Sequence, residues 1–262
     1  MPLPNEIEVT EPRPAFLGPF LMLVLLGALG TSTLLMNVDD VLASMPAAQV
    51  AAAGGPVAVK AAMLIQPVIL TALAAAAGLV TAHKLALKSW LVDRLRGHAA
   101  PVGVSLSLPV LCGLAAGAVI VFGDLIFTQI APDTSASLRL PREKWLPALL
   151  QGLLYGGLTE EILLRWGVLS SIAFGLHRAG APQRTALAIA AVLAAALFAA
   201  GHLPALAAVA DPTPLLVART LLLNTMAGVI FGYAFLRHSL EGAILAHGIG
   251  HVVIFAARVA GL

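Results

Sequence analysis

The sequence predicts an all-α protein, a polytopic membrane bundle of about seven helices with room for an eighth. Three observations lead there. Hydrophobic residues make up 60% of the 262-residue chain and charged residues 11%, against about 45–50% and about 25% in soluble proteins. Mean hydropathy is +0.96. Seven segments each carry the roughly 20 mostly apolar residues that a membrane-crossing helix needs. So few charges cannot cover the surface of a soluble protein of this size, so most apolar side chains must face lipid.

Residues 1–15 read as a polar tail and 16–262 as a single transmembrane domain. The first span, 16–36, follows Glu6, Glu8 and Glu11 with a lone Arg13. That flank is too acidic, and the apolar run too long, for a cleavable signal, so the helix is expected to be retained. The stretch 43–59, with Pro46 and the Gly54-Gly55-Pro56 breaker, reads as a short interfacial segment and leaves an eighth element open. The second span is 61–82. The third and fourth, 102–131 and 145–174, are long enough to tilt, kink or break, with Pro109 as the expected kink. The last three are 185–203, 214–236 and 240–260. Runs of alanine and only 5% aromatic residues suggest helices packed closely through small side chains.

The same composition excludes other classes. A net charge of +2 offers no basic field for nucleic acid. One cysteine, Cys112, rules out an internal disulfide and any cysteine-based metal cluster; it lies in an apolar run and reads as packing. Lysines and arginines outside the spans set orientation. Arg13, Lys84, Lys88, Arg94, Arg96, Arg178, Arg184 and Arg237 fall on the N-terminal side, and Lys60, Arg139, Arg142, Lys144 and Arg258 on the other. Eight against five favours a cytoplasmic N-terminus. Short loops and the lack of a transit peptide favour a bacterial inner membrane.

Of 28 charged residues, five lie well inside the spans: Asp124, Glu160, Glu161, Arg165 and Arg219. Intramembrane charge is costly and functional by default. Asp124 and Arg219 lie near span ends, where snorkelling accounts for them. Glu160, Glu161 and Arg165 fall mid-span. Glu161 and Arg165, four residues apart, can pair on one helical face. Glu160, about 100° round an α-helix, is then the carboxylate without a local partner and available as a general base. The competing reading is a structural ion pair bracing the bundle.

Two further pairs repeat the spacing. Phe198 and His202 lie one turn apart near the end of the fifth span, and His247 and His251 share a face of the seventh. Two histidines in one apolar helix each need a partner in a dry environment. Asn224, in the sixth span, reads as a fourth contributor to this polar set or as interhelical glue, with glue favoured.

Glu160-Glu161-x-x-x-Arg165, then Phe198-x-x-x-His202, then His247-x-x-x-His251, on consecutive helices over about 145–260, resembles the CPBP (Abi) intramembrane proteases, the family that includes the CAAX prenyl endopeptidase and proteins linked to bacteriocin immunity. His251 is a departure, because the family usually has asparagine or aspartate there. The resemblance implies an endopeptidase acting on a membrane-embedded or lipid-anchored polypeptide. Glu160, assisted by His202, would activate water; His247 and His251 would stabilise the oxyanion; Arg165 would hold Glu161; Phe198 would pack beside the site. Glu160, His202, His247 and His251 could alternatively bind a divalent ion such as zinc, although metal-free activation is preferred.

Two other classes remain. One is a catalytically silent immunity or partner-binding protein, kept open by His251. The other is a proton-coupled transporter, disfavoured because no inverted repeat is evident. Counted at 1.5 Å per residue from the cytoplasmic ends, Glu160 is expected at about 20 Å depth, His202 at about 25 Å and His247 at only about 10 Å. The protease reading requires the structure to bring these residues together despite that mismatch.

Overall fold

The computed structural model describes residues 15–99, 103–132 and 140–261, and every regular element among them is helical. The expected tail therefore lies almost wholly outside the described residues, as do Arg13 and Arg139. In chain order the helices are α1 (Leu17–Ser32), α2 (Val38–Ser44), α3 (Ala47–Ala52), α4 (Pro56–Thr81), α5 (Trp90–Leu95), α6 (Ser107–Ile130), α7 (Trp145–Gln151), α8 (Ser170–Arg178), α9 (Gln183–Gly201), α10 (Leu203–Val209), α11 (Pro214–Arg237) and α12 (Leu240–Val259).

Among the described residues, six helical stretches are long and apolar enough to cross a membrane: Leu17–Ser44, Pro56–Leu85, Ser107–Ile130, Gln183–Val209, Pro214–Arg237 and Leu240–Val259. This is an integral membrane protein. The remaining expected span, 145–174, is helical throughout but changes its winding. Between α7 and α8 the chain runs as π-helix over Gly152–Glu160 and Ile162–Leu169, with i→i+5 bonding of the kind that concentrates at functional sites.

Several boundaries differ from expectation for identifiable reasons. α6 starts at Ser107, so Pro109 sits in its first turn, where a missing N–H costs nothing and no kink is needed. The 43–59 stretch holds the end of α2, the start of α4 and between them α3, six residues between Pro46 and the positive-φ pair Gly54 and Gly55; at 1.5 Å per residue α3 is far too short to cross. α9 ends at Gly201 and the chain resumes as α10 after His202, with Pro204 in the first turn. Cys112 is buried beside Ala116, Ala227 and Phe231, a packing residue as expected.

The bundle has two distinguishable ends. At the end that holds the start of α1, Gln183 donates to the Leu85 carbonyl and the Leu240 N–H to the Lys88 carbonyl. There the Glu241 carboxylate accepts from Ser89 Oγ at 2.6 Å and from the Trp90 and Leu91 N–H groups at 3.0 Å each. A carboxylate at a helix N-terminus satisfies orphan donors and complements the dipole, so α5 is pinned across the end of the bundle. At the far end Lys60 pairs with Asp39 and Lys144 with Asp40.

Glycines set the closest helix approaches. Gly113 and Gly117 of α6 lie one turn apart, and a Cβ on either would run into α12 at Ala246, Ile249, Gly250 or Val253. This is a small-xxx-small crossing of the kind that drives association in lipid. The Glu241 contacts generate a stability prediction. Glu241→Ala should lower unfolding stability in detergent by about 1–2 kcal/mol, the usual cost of losing a helix cap and its charged hydrogen bonds, as read from the denaturation midpoint against wild type.

Candidate active site

The π-wound stretch carries the acidic motif, α9 the Phe198–His202 pair and α12 the two histidines. Glu161 is fully buried, Arg165 is 1% exposed and His247 3%. Arg165 Nη1 pairs with Glu161 Oε1 at 3.0 Å, and His247 Nδ1 lies 2.7 Å from the same oxygen. The expected i,i+4 pair is therefore present, extended by a histidine from another helix. Because a carboxylate accepts, His247 donates from Nδ1 and turns its Nε2 toward Glu160, whose Oε2 lies 3.9 Å away. Glu160 is the accessible member of the pair, 19% exposed against 0% for its neighbour.

Arg165 is held from three sides. Its Nη2 donates to the Gly228 carbonyl at 3.0 Å, and its guanidinium stacks over Phe198 and Phe231 at 4.9 and 5.5 Å from the ring centres. Phe198 packs edge-on against His202 at 4.6 Å and against His247 at 5.8 Å. His202 Nδ1 bonds the Phe198 carbonyl at 2.8 Å. A carbonyl only accepts, so His202 is a donor at Nδ1 and its Nε2 is left for other work. His251 stacks on His247 with 5.1 Å between ring centres. Phe198, His202, His247 and His251 line one cavity of about 260 Å³, together with Asn224 and Phe231.

All seven residues singled out in the sequence thus fall into one connected cluster. His247 is the hub, touching Glu160, Glu161, Phe198 and His251. The expected depth mismatch does not keep the residues apart, since His247 reaches Glu160 at 3.9 Å and Phe198 at 5.8 Å. Ser239 and Leu240 are 0% and 1% exposed, so the start of α12 is covered by the chain around Lys88 and α5.

Two expectations need correction. Asp124 and Arg219 do not snorkel apart; they form an ion pair between α6 and α11, with Arg219 Nε 2.9 Å from Asp124 Oδ1. In a low-dielectric setting pairing offsets the cost of both charges. Asn224 does not glue helices together; its Nδ2 donates to the Thr220 carbonyl of its own helix at 2.8 Å.

Other contributors went unmarked in the sequence analysis. Phe231 stacks on His247 at 4.3 Å. Gly152 and Gly156 face α12, where a Cβ on the first would strike the His251 ring and one on the second would crowd both histidines. Their one-turn spacing in an apolar helix was the available signal. Among the described residues, no three His, Cys, Asp or Glu side chains converge closely enough to hold a metal ion.

Removing one partner of a buried ion pair strands the other. Arg165→Met should destabilise by about 3–5 kcal/mol. The double variant Glu161→Gln/Arg165→Met should recover most of that loss, a non-additivity read from a double-mutant cycle of unfolding midpoints.

No curated protein matches the chain, and no solved structure does. A protein-family model does match, over residues 142–253. That model is described as Type II CAAX prenyl endopeptidase Rce1-like, and the matched stretch includes Glu160, Glu161, Arg165, Phe198, His202, His247 and His251.

Proposed function

We propose that the protein is an intramembrane endopeptidase in which Glu160 activates water for attack on a peptide carbonyl. One observation carries this reading. Of two adjacent glutamates, Glu161 is spent on Arg165 and His247, while Glu160 stays partly accessible with the His247 ring edge 3.9 Å away. A separation of that size is too long for a direct hydrogen bond, yet one water molecule can touch both atoms.

Glu160 takes a proton from the water as its oxygen bonds to the carbonyl carbon, and the carbonyl electron pair moves onto oxygen. His247, its Nδ1 proton given to Glu161, presents Nε2 as an acceptor that helps orient the water, and His251, stacked on it, is the histidine left to donate to the oxyanion. Collapse of the tetrahedral intermediate breaks the C–N bond, and Glu160 returns its proton to the leaving amine. His202, with Nε2 left over from its backbone bond, assists Glu160. Arg165, Glu161 and Phe198 position these groups without touching the reacting atoms. The substrate is a membrane-embedded or lipid-anchored polypeptide, consistent with the family description. The lysine and arginine count supports a cytoplasmic N-terminus, and the short loops favour a bacterial inner membrane.

The test uses purified protein in liposomes with a library of lipid-anchored peptides, and products identified by mass spectrometry. Glu160→Gln should cut the cleavage rate by about 100-fold or more while leaving the unfolding midpoint near wild type; full retained cleavage would sink the assignment. Activity should survive chelation, with no stoichiometric metal in the purified protein. Loss on chelation and recovery with zinc would transfer the chemistry to an ion held by Glu160, His202, His247 and His251. His251, where the family usually has asparagine or aspartate, favours the second reading, a silent partner-binding protein. Failure of wild type to cleave any peptide, with a protective phenotype insensitive to Glu160→Gln, would establish it.

A further inference from the structure

The outward side of α4 carries a polar group within the membrane. Gln66 is exposed and lies six residues past Lys60, about 9 Å along the axis. Its stem is shorter than those of the lysines and arginines that snorkel to the headgroups. Among the described residues its amide donates to no partner. The next residue, Pro67, lies inside the helix and has no N–H to offer the Met63 carbonyl four residues back. One turn of α4 therefore presents an unbonded amide beside an under-bonded carbonyl, facing a medium without water to satisfy either.

The residues around Gln66 form a regular stripe. Ala62, Gln66, Ile69, Leu73, Ala76 and Val80 follow at spacings of four, three, four, three and four, the repeat of a left-handed coiled-coil seam. Ile69, Leu73 and Val80 are 53%, 64% and 48% exposed. The opposite face of α4 is already used: Thr71 packs on Gly27 of α1, Ala74 on Gly167, and Gly78 on Trp166. α1, by contrast, exposes Leu21, Leu25 and Leu29, an apolar stripe at home in lipid. The charges flanking the α4 stripe are engaged within the chain. Lys60 pairs with Asp39, and Lys84 lies over the Phe174 ring, so no unpaired like charges oppose the approach of an identical face.

We propose that α4 is the interface of a parallel two-fold homodimer, in which Gln66 hydrogen-bonds Gln66 of the partner subunit. A two-fold interface must be complementary to itself, and this turn is. Each copy brings two N–H donors on Gln66 and two acceptors, the Gln66 oxygen and the Met63 carbonyl. Copies inserted in the same orientation hold this turn at the same depth. Lipid tails offer no donor or acceptor, and a single polar residue in such a seam fixes register and oligomer number. α4 contributes nothing to the lining of the histidine cavity, so the inference does not rest on the protease reading.

The experiment uses the full-length protein in phosphatidylcholine vesicles, with donor and acceptor dyes on the N-termini of two separate pools. Energy transfer is followed as lipid dilutes the protein, and wild type should trace a monomer–dimer curve. Gln66→Leu should weaken association about tenfold, or about 1.4 kcal/mol, within the range of interhelical side-chain hydrogen bonds in lipid. Gln66→Asn should keep part of it. The unfolding midpoint of dilute Gln66→Leu should stay at or above wild type, because leucine costs nothing against lipid, so lost association is not lost folding. In a second measurement Ile69→Cys should form a covalent dimer under mild oxidation, since a two-fold seam sets this position against itself. Leu111→Cys, on the outward side of α6 and 63% exposed there, should not. Cys112 is buried and adds no background.

Energy transfer no greater than random proximity at every dilution overturns the proposal. Association unchanged in Gln66→Leu does so too, by moving any dimer to another face. Equal cross-linking of Ile69→Cys and Leu111→Cys also overturns it, as the mark of crowding without a defined interface.

Discussion

The Glu161 carboxylate is the group around which the site is built. It is fully buried, and a buried charge is tolerated only when paired and hydrogen-bonded. Its partners come from two directions: Arg165 from the same helix and His247 from α12. Arg165 in turn reaches the Gly228 carbonyl on α11 and lies over Phe198 of α9. One carboxylate thereby ties the π-wound stretch to three other helices. The consequence for chemistry lies next door. With Arg165 and the Nδ1 side of His247 directed at Glu161, the adjacent Glu160 is left without a short ion pair, and it is the more accessible of the two.

This arrangement works only if α12 approaches very closely on two sides. Lipid tails give helices no hydrophobic reason to associate, so contact must come from packing and polar bonds. Gly113 and Gly117 let α6 meet the backbone of α12, and Gly152 and Gly156 make room for the rings of His251 and His247. A side chain at either pair would push α12 outward and lengthen the 2.7 Å contact between His247 and Glu161. The glycines therefore serve the buried charge as much as the packing. The π-winding between α7 and α8 belongs to the same region, since both glycines and both glutamates lie in or directly beside it.

Much of this was legible in the sequence, because helical periodicity turns local spacing into shared faces. Glu161 with Arg165, Phe198 with His202, and His247 with His251 each lie four residues apart, and each pair meets in the structure. What was illegible is what spacing does not encode. Asp124 and Arg219 are 95 residues apart in the chain, so nothing local announced their pairing. The winding of the stretch between α7 and α8 depends on which carbonyl each N–H selects, and composition does not record that choice. Counting residues along separate helices also says nothing of which side chains meet, and His247 reaches Glu160 and Glu161 although the count set them at different depths. Gly152 and Gly156 were readable as a small-xxx-small pair but drew no notice, because glycine carries no chemistry of its own.

The distribution of charge divides the bundle into two halves with different work. α1, α4 and α9 carry no ionisable side chain in their central turns, and they pack with Trp166 and Phe235 into the larger apolar core. The intramembrane charges lie on the π-wound stretch, α6 and α11, with His247 of α12 facing them. An uncompensated charge destabilises whichever helix carries it, so concentrating charges on neighbouring helices lets each serve as another's partner. Clustering also requires a rigid apolar half against which the polar half can be held in register. Thr159 shows the join: its hydroxyl donates to the Gly27 carbonyl of α1 at 2.8 Å, immediately before Glu160 and Glu161 in the chain. The apolar half thus fixes the backbone position of the two glutamates, and the polar half decides which of them stays available.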